Sequence, residues 1–159
     1  MFMGIEYSKD LTESYQQVAD QLHLLLEGEK NRIANLSNAS ALLSNFLDRT
    51  NWTGFYLLED DELVLGPFQG LPACIRIPMG RGVCGTAAKK RETLVVDDVN
   101  AFDGHIACDS ASNSEIVIPL VKDNILIGVL DIDSPEKSRF SEEDRVGLEK
   151  FAEVLLRHL

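Results

Sequence analysis

Residues 114–133, SEIVIPLVKDNILIGVLDID, are two runs dense in Ile, Val and Leu, split by Lys122-Asp123-Asn124. Branched side chains favour extended backbone, and the polar triplet supplies the residues that a tight turn needs. The segment therefore predicts two long antiparallel strands. A chain that carries them must be organised around a sheet, with other elements covering it.

The flanking patterns supply that cover. Leu11, Tyr15, Val18, Leu22 and Leu25 recur at steps of three and four, which predicts an amphipathic helix over 9–26. Ile33, Leu36, Leu43 and Leu47 predict a second over 30–47. WTGFYLLE (52–59) and the following ELVLGPF, separated by Asp60-Asp61, read as a hairpin. In ACIRIPM (73–79), Ile75 and Ile77 alternate with Arg76, the pattern of a half-buried strand. MGRGVCGTAAKK (79–90) is a glycine-rich loop running into a short helix near 83–90, and TLVVDDV (93–99) is a further strand. Ser141 ahead of Glu142, Glu143 and Asp144 resembles a capping box, opening a last helix that carries Val146, Phe151, Val154 and Leu155 toward the C-terminus. Hairpins between terminal helices predict an α+β fold with a central antiparallel sheet of about six strands. The 159 residues, without repeats or linkers, fit a single domain over 1–159.

A formal net charge of −11 disfavours nucleic acid and anionic membrane as partners, because both would be repelled. The one basic run, KKR at 89–91, meets Glu92 at once. ILIGVL (125–130) is too short to span a bilayer, and MFMGIEYSKD has neither the charged nor the apolar region of a signal peptide. The expected location is the cytoplasm, where Cys74, Cys84 and Cys108 rest reduced.

One segment contributes little to any core. GHIACDSASNSE (104–115) falls within a long irregular connection over 98–113, for which Phe102 and Ile106 provide apolar anchors. Loops of this length in a compact domain are usually functional or disordered, and the apolar anchors weigh against disorder. Cys108 sits there, where a protonated His105 would lower its pKa and Asp109 would raise it. Cys74, beside Pro72, and Cys84, after Gly80-Arg81-Gly82, each read on their own as small buried hydrophobes. Zinc held by Cys74, Cys84, His105 and Cys108 is a further reading, weakened by a C-x9-C-x20-H-x2-C spacing with no CxxC knuckle. MGRGVCG lacks the Lys-Ser/Thr of a P-loop and reads as a turn into a helix. His23 and His158 read as surface residues, His158 favoured by a helix C-terminus. Asp131 and Asp133, two apart, share one face of a strand, and the hairpin brings Glu115 level with one of them. Three converging carboxylates bind a cation or raise one another's pKa.

GRGVCGTAA, DDVNAFDGHIACDSASNSEIVIPL and GVLDIDSPEKSRFSEED closely resemble the free methionine-(R)-sulfoxide reductases, a family built on the GAF domain. The likeness covers essentially the whole chain, WTGFYLL included, and all three cysteines are kept. The resemblance implies reduction of free L-methionine-(R)-sulfoxide with thioredoxin as electron source, no organic cofactor or metal, and a homodimer through the terminal helices. It casts Cys108 as the nucleophile, Cys74 as the resolving cysteine and Cys84 as an auxiliary third. It makes Glu115, Asp131 and Asp133 the acidic cluster of the substrate pocket, with Glu115 a candidate proton donor, and Trp52 and Tyr56 its aromatic residues. Oxidation is then expected to join Cys74 to Cys108 with their Cα atoms about 5.5 Å apart. A non-catalytic GAF module that binds a small ligand, and a zinc or redox sensor, are the alternatives.

Overall fold

The structure, a computed structural model, describes residues 2–159. Two helices come first, α1 (Leu11–Leu26) and α2 (Arg32–Phe46). Each starts where the sequence offers a side-chain cap: Asp10 accepts from the Glu13 N–H and Asn31 from the Ala34 N–H. There follow β1 (Trp52–Glu59), β2 (Glu62–Gln69), β3 (Arg76–Pro78), α3 (Gly82–Lys90), β4 (Leu94–Val96), β5 (Ser114–Lys122), β6 (Ile125–Ser134) and α4 (Glu142–Leu156). A single 3-10 turn, Val99–Ala101, interrupts the connection from β4 to β5.

The six strands form one sheet in the order β3-β2-β1-β6-β5-β4, and all five neighbouring pairs are antiparallel. Both predicted hairpins close on two residues of positive φ, Asp60-Asp61 and Asp123-Asn124, the backbone that two-residue hairpin turns require. Period-two alternation then splits the sheet into unlike faces. Phe55, Ile116, Ile118, Leu130 and Ile132 pack against α1, α2 and α4. Trp52, Tyr56, Val117 and Val129 look the other way, toward Val83 and Ala87 of α3.

Four apolar side chains of the expected patterns are exposed, the first being Leu11, 37% exposed at the start of α1. Ile33 is 67% exposed, because the buried stripe of α2 runs through Leu36, Ala39, Ser40 and Leu43 and includes small residues. Val146 is 55% exposed, because α4 turns Gly147, Leu148 and Phe151 inward instead. Ile75 is 69% exposed: regular pairing begins only at Arg76, so Ile77 alone of the two is buried.

Beneath α1 and α4 lies a polar network. Arg139, almost wholly buried, pairs with Asp144 at 3.2 Å and with Asp48 at 2.9 Å, and the Tyr15 hydroxyl donates to Asp144 at 2.7 Å. Asp144 also closes a true capping box with Ser141. Tyr15 reaches Asp144 because α4 presents Gly147 to its ring; a Cβ there would sit 2.2 Å from the ring. Gly147→Ala is therefore expected to destabilise the protein by about 1–3 kcal/mol in urea denaturation, as overpacking does. A gain of about 1 kcal/mol, the ordinary result for Gly→Ala inside a helix, would show that the two helices are not in this contact.

Candidate active site

Strand register assembles the site. β5 and β6 pair Glu115 with Asp133 and Val117 with Asp131, while β1 and β6 pair Trp52 with Asp133 and Gly54 with Asp131. Partners opposite one another share a face, so the three carboxylates and the two aromatics emerge together on the side covered by α3. Glu115 and Asp131 are buried and Asp133 is half-buried. They line a recess with Cys84, His105 and Cys108.

The long connection forms the recess's outer wall. Phe102 and Ile106 do anchor it, packing against the α3-side core. Ile106 rests on Gly82, whose φ of 61° opens α3 and whose missing Cβ leaves room for the Ile side chain. A third anchor escapes sequence reading: the Asn51 amide donates to Asp109 at 3.0 Å and to Ser112 at 3.1 Å, pinning the loop to the start of β1. Its only trace in the sequence is an Asn next to Trp52, which carries no signal by itself.

Cys74 and Cys108 are joined by a disulfide, with Cα atoms 5.2 Å apart. The zinc reading from Cys74, Cys84, His105 and Cys108 is thereby corrected for this state, since two of its four ligands are spent on each other. Cys84 is free and buried, and its Sγ lies 3.7 Å from Glu115 Oε1. Among the described residues, a different group has ligand atoms close enough to share a metal: Cys84, Glu115 and Asp131, within 4.8 Å of one another. Tyr56 donates its hydroxyl to the Cys74 carbonyl at 2.9 Å, and Trp52 stacks between Tyr56 and Phe68 with its indole N–H on the Leu71 carbonyl. The aromatics thus line the recess and also hold the Cys74 segment in place.

Electrostatics follow from burial. Loss of water, then the charges of Asp131 and Asp133, push the Glu115 carboxyl well above its ordinary range. Asp133 is raised well for the same reasons, with Asp109 adding to the repulsion, and Asp131 is raised by desolvation to about 6. Burial likewise pushes the Cys84 thiol up, so it stays protonated. Desolvation lowers the pKa of His105, whose buried Nδ1 has no partner among the described residues. His105 is neutral at pH 7 and does not supply the positive charge considered for Cys108. The outcome is a recess holding carboxyl protons at neutral pH beside a redox-active sulfur pair.

Comparison with known proteins agrees with this geometry. The GAF domain profile matches residues 10–159. The chain is 56% identical over 144 residues to the free methionine-R-sulfoxide reductase of Escherichia coli, covering 91% of this chain and 87% of that protein. Among solved structures, the free methionine-R-sulfoxide reductase of Neisseria meningitidis in complex with its substrate superposes with a TM-score of 0.93 at 44% identity, over 99% of this chain and 95% of that one. The reduced form of Staphylococcus aureus fRMsr gives 0.89 at 51%, over 99% of both chains. The chain belongs to the GAF domain family and, within it, to the free methionine-R-sulfoxide reductases.

A raised carboxyl pKa means that the folded protein binds that proton more tightly than the unfolded chain does. Its contribution to stability is present below the ordinary carboxylate range and is lost as pH rises through about 6 for Asp131. At pH 7, Asp131→Asn is expected to stabilise the protein by about 1–3 kcal/mol, and at pH 4 by little. Urea denaturation at the two pH values checks this; an equal effect at both would mean that the Asp131 charge is not the source of the strain.

Proposed function

We propose that this chain reduces free L-methionine-(R)-sulfoxide to L-methionine within a single domain over 1–159. The observation that carries the reading is the Cys74–Cys108 disulfide at a recess walled by Glu115, Asp131 and Asp133. Cys108 is the nucleophile: of the two bonded cysteines it lines the recess, while Cys74 approaches from the β3 side. Its thiolate attacks the sulfoxide sulfur as the sulfoxide oxygen takes a proton, and Glu115, the buried acid that retains one, is the donor. The hydroxyl then moves to the Cys108 sulfur as the substrate S–O bond and the new S–S bond break, leaving Cys108 as a sulfenic acid and releasing methionine. The Cys74 thiol then attacks the sulfenic sulfur, expelling water and forming the disulfide, which a dithiol reductant returns to two thiols by exchange.

Asp131 and Asp133 hold the substrate ammonium, and Trp52 and Tyr56 flank its side chain. A recess that matches a free ammonium leaves these acids unpaired against a peptide-bound sulfoxide, which gives selectivity for the free amino acid. Thioredoxin is the reductant and the cytoplasm the setting, because the cycle needs a pool of reducing dithiols. A homodimer through the terminal helices is supported by Leu24 on α1 and Ile33 on α2, both apolar and well exposed.

The direct test supplies pure R and S sulfoxides of free methionine, separately, with dithiothreitol or thioredoxin. Methionine release from the R form alone is expected; release of neither by folded, reduced protein would make the chain a ligand-binding GAF module. Cys108→Ser is expected to lower release to the uncatalysed level. Cys74→Ser is expected to yield about one methionine per chain and then stall with thioredoxin. Continued cycling would move resolution to Cys84.

A further inference from the structure

Cys84 is the thiol that this cycle leaves unused, and it is placed inside the recess. Its Sγ and one oxygen each of Glu115 and Asp131 lie within 4.8 Å of one another. Asp131 is 5% exposed, lines the recess, and its Oδ1 has no hydrogen-bond partner among the described residues. A buried carboxylate oxygen without a partner is costly, so its complement is a donor or a cation entering the recess. The donor set is informative. Zinc ligands at about 2.0–2.3 Å from a common ion stand some 3.5 Å apart, which small side-chain rotations reach from the spacing found here. A thiolate excludes Mg²⁺ and Ca²⁺, and two carboxylates beside it suit a borderline metal. With the disulfide closed, the cavity measures about 40 Å³, room for an ion and a water but not for an amino acid.

We infer that Cys84, Glu115 and Asp131 form a site for one borderline-soft divalent cation of the Zn²⁺ class, and that metal and substrate exclude each other there. Binding displaces the Cys84 thiol proton and the Glu115 proton to the buffer, and no electrons move. The ion's two charges offset part of the charge of its three anionic ligands, which counters the electrostatics that otherwise keep the thiol protonated. The sequence leads to the expectation of no metal; the ion inferred here departs from that expectation, blocking the cycle and taking no part in it. The exclusion half of the inference rests on the proposal that Asp131 and Asp133 hold the substrate ammonium. The binding half does not.

Co²⁺ is the probe, because a cobalt–thiolate bond gives a charge-transfer band in the near ultraviolet. Titration of the disulfide-bonded protein leaves Cys84 as the one thiol available. The expected result is one Co²⁺ per chain with that band, loss of the band in Cys84→Ser, and binding at least about tenfold weaker in Asp131→Asn, with circular dichroism confirming the fold. No band at millimolar Co²⁺ in folded wild-type protein, or a band that survives Cys84→Ser, overturns the site. If Cys84→Ser does not fold, Asp131→Asn decides alone, and unweakened binding there overturns the site. The exclusion is read in a Cys74→Ser/Cys108→Ser double variant, where saturating methionine is expected to weaken Co²⁺ binding. A Co²⁺ band indifferent to methionine overturns the exclusion and the ammonium assignment together and leaves the metal site. R-selective turnover by protein that shows no Co²⁺ band leaves the reductase reading and overturns the metal site.

Discussion

Three carboxylates on one buried sheet face repel one another, and the β5–β6 register is what holds them there. A slip of one residue by either strand would turn its own acids, Glu115 on β5 or Asp131 and Asp133 on β6, toward the helix-side core and bring Ile116 or Ile132 out. That exchange is prevented from the opposite face, where Ile116, Ile118, Leu130 and Ile132 are almost wholly enclosed by helix side chains. The tight Asp123-Asn124 turn sets the pairing at the far end of the hairpin. Much of the protein's hydrophobic mass, though remote from the recess, thus serves to keep an unfavourable arrangement of charge in position.

How far this was readable depends on the range of the interaction involved. Strands, turns and caps are legible because each is decided within a few residues: branched side chains at 114–133, Asp60-Asp61 and Asp123-Asn124, Ser141 with Asp144. Period two puts Asp131 and Asp133 on one face, but their convergence with Glu115 needed coordinates: the two-residue turn alone would set Glu115 opposite Ile132, and the register shift between Leu120 and Val121 brings it to Asp133. Apolar stripes are less secure. Ile33 and Val146 mislead because a buried stripe also uses Ala, Ser and Gly, which a search for large apolar residues passes over. Ile75 misleads because strand alternation says nothing about where pairing stops.

Contacts between distant segments left no mark in the sequence. The hold of Asn51 on Asp109 and Ser112, and that of Tyr56 on the Cys74 carbonyl, join residues far apart through single hydrogen bonds. These bonds decide where the two sulfurs meet, so the precision of the site is set by links that no local pattern encodes. The pairing of Cys74 with Cys108 belongs with them: residue type and spacing left it open, and family resemblance supplied it.

The disulfide ties off a stretch of chain with a sequence separation of 34. Closing a loop of that size removes conformational freedom from the unfolded chain worth about 4 kcal/mol in the simplest polymer treatment. Folding and oxidation are therefore linked: whatever the fold does to hold the sulfurs at a high effective concentration, a reductant must overcome, at ~30 mV of two-electron potential for each 1.4 kcal/mol. The connection bearing Cys108 is irregular and touches the core through few side chains, which limits that effective concentration. A tightly packed strand in its place would make the sulfur bridge permanent, whereas this loop leaves it able to open again.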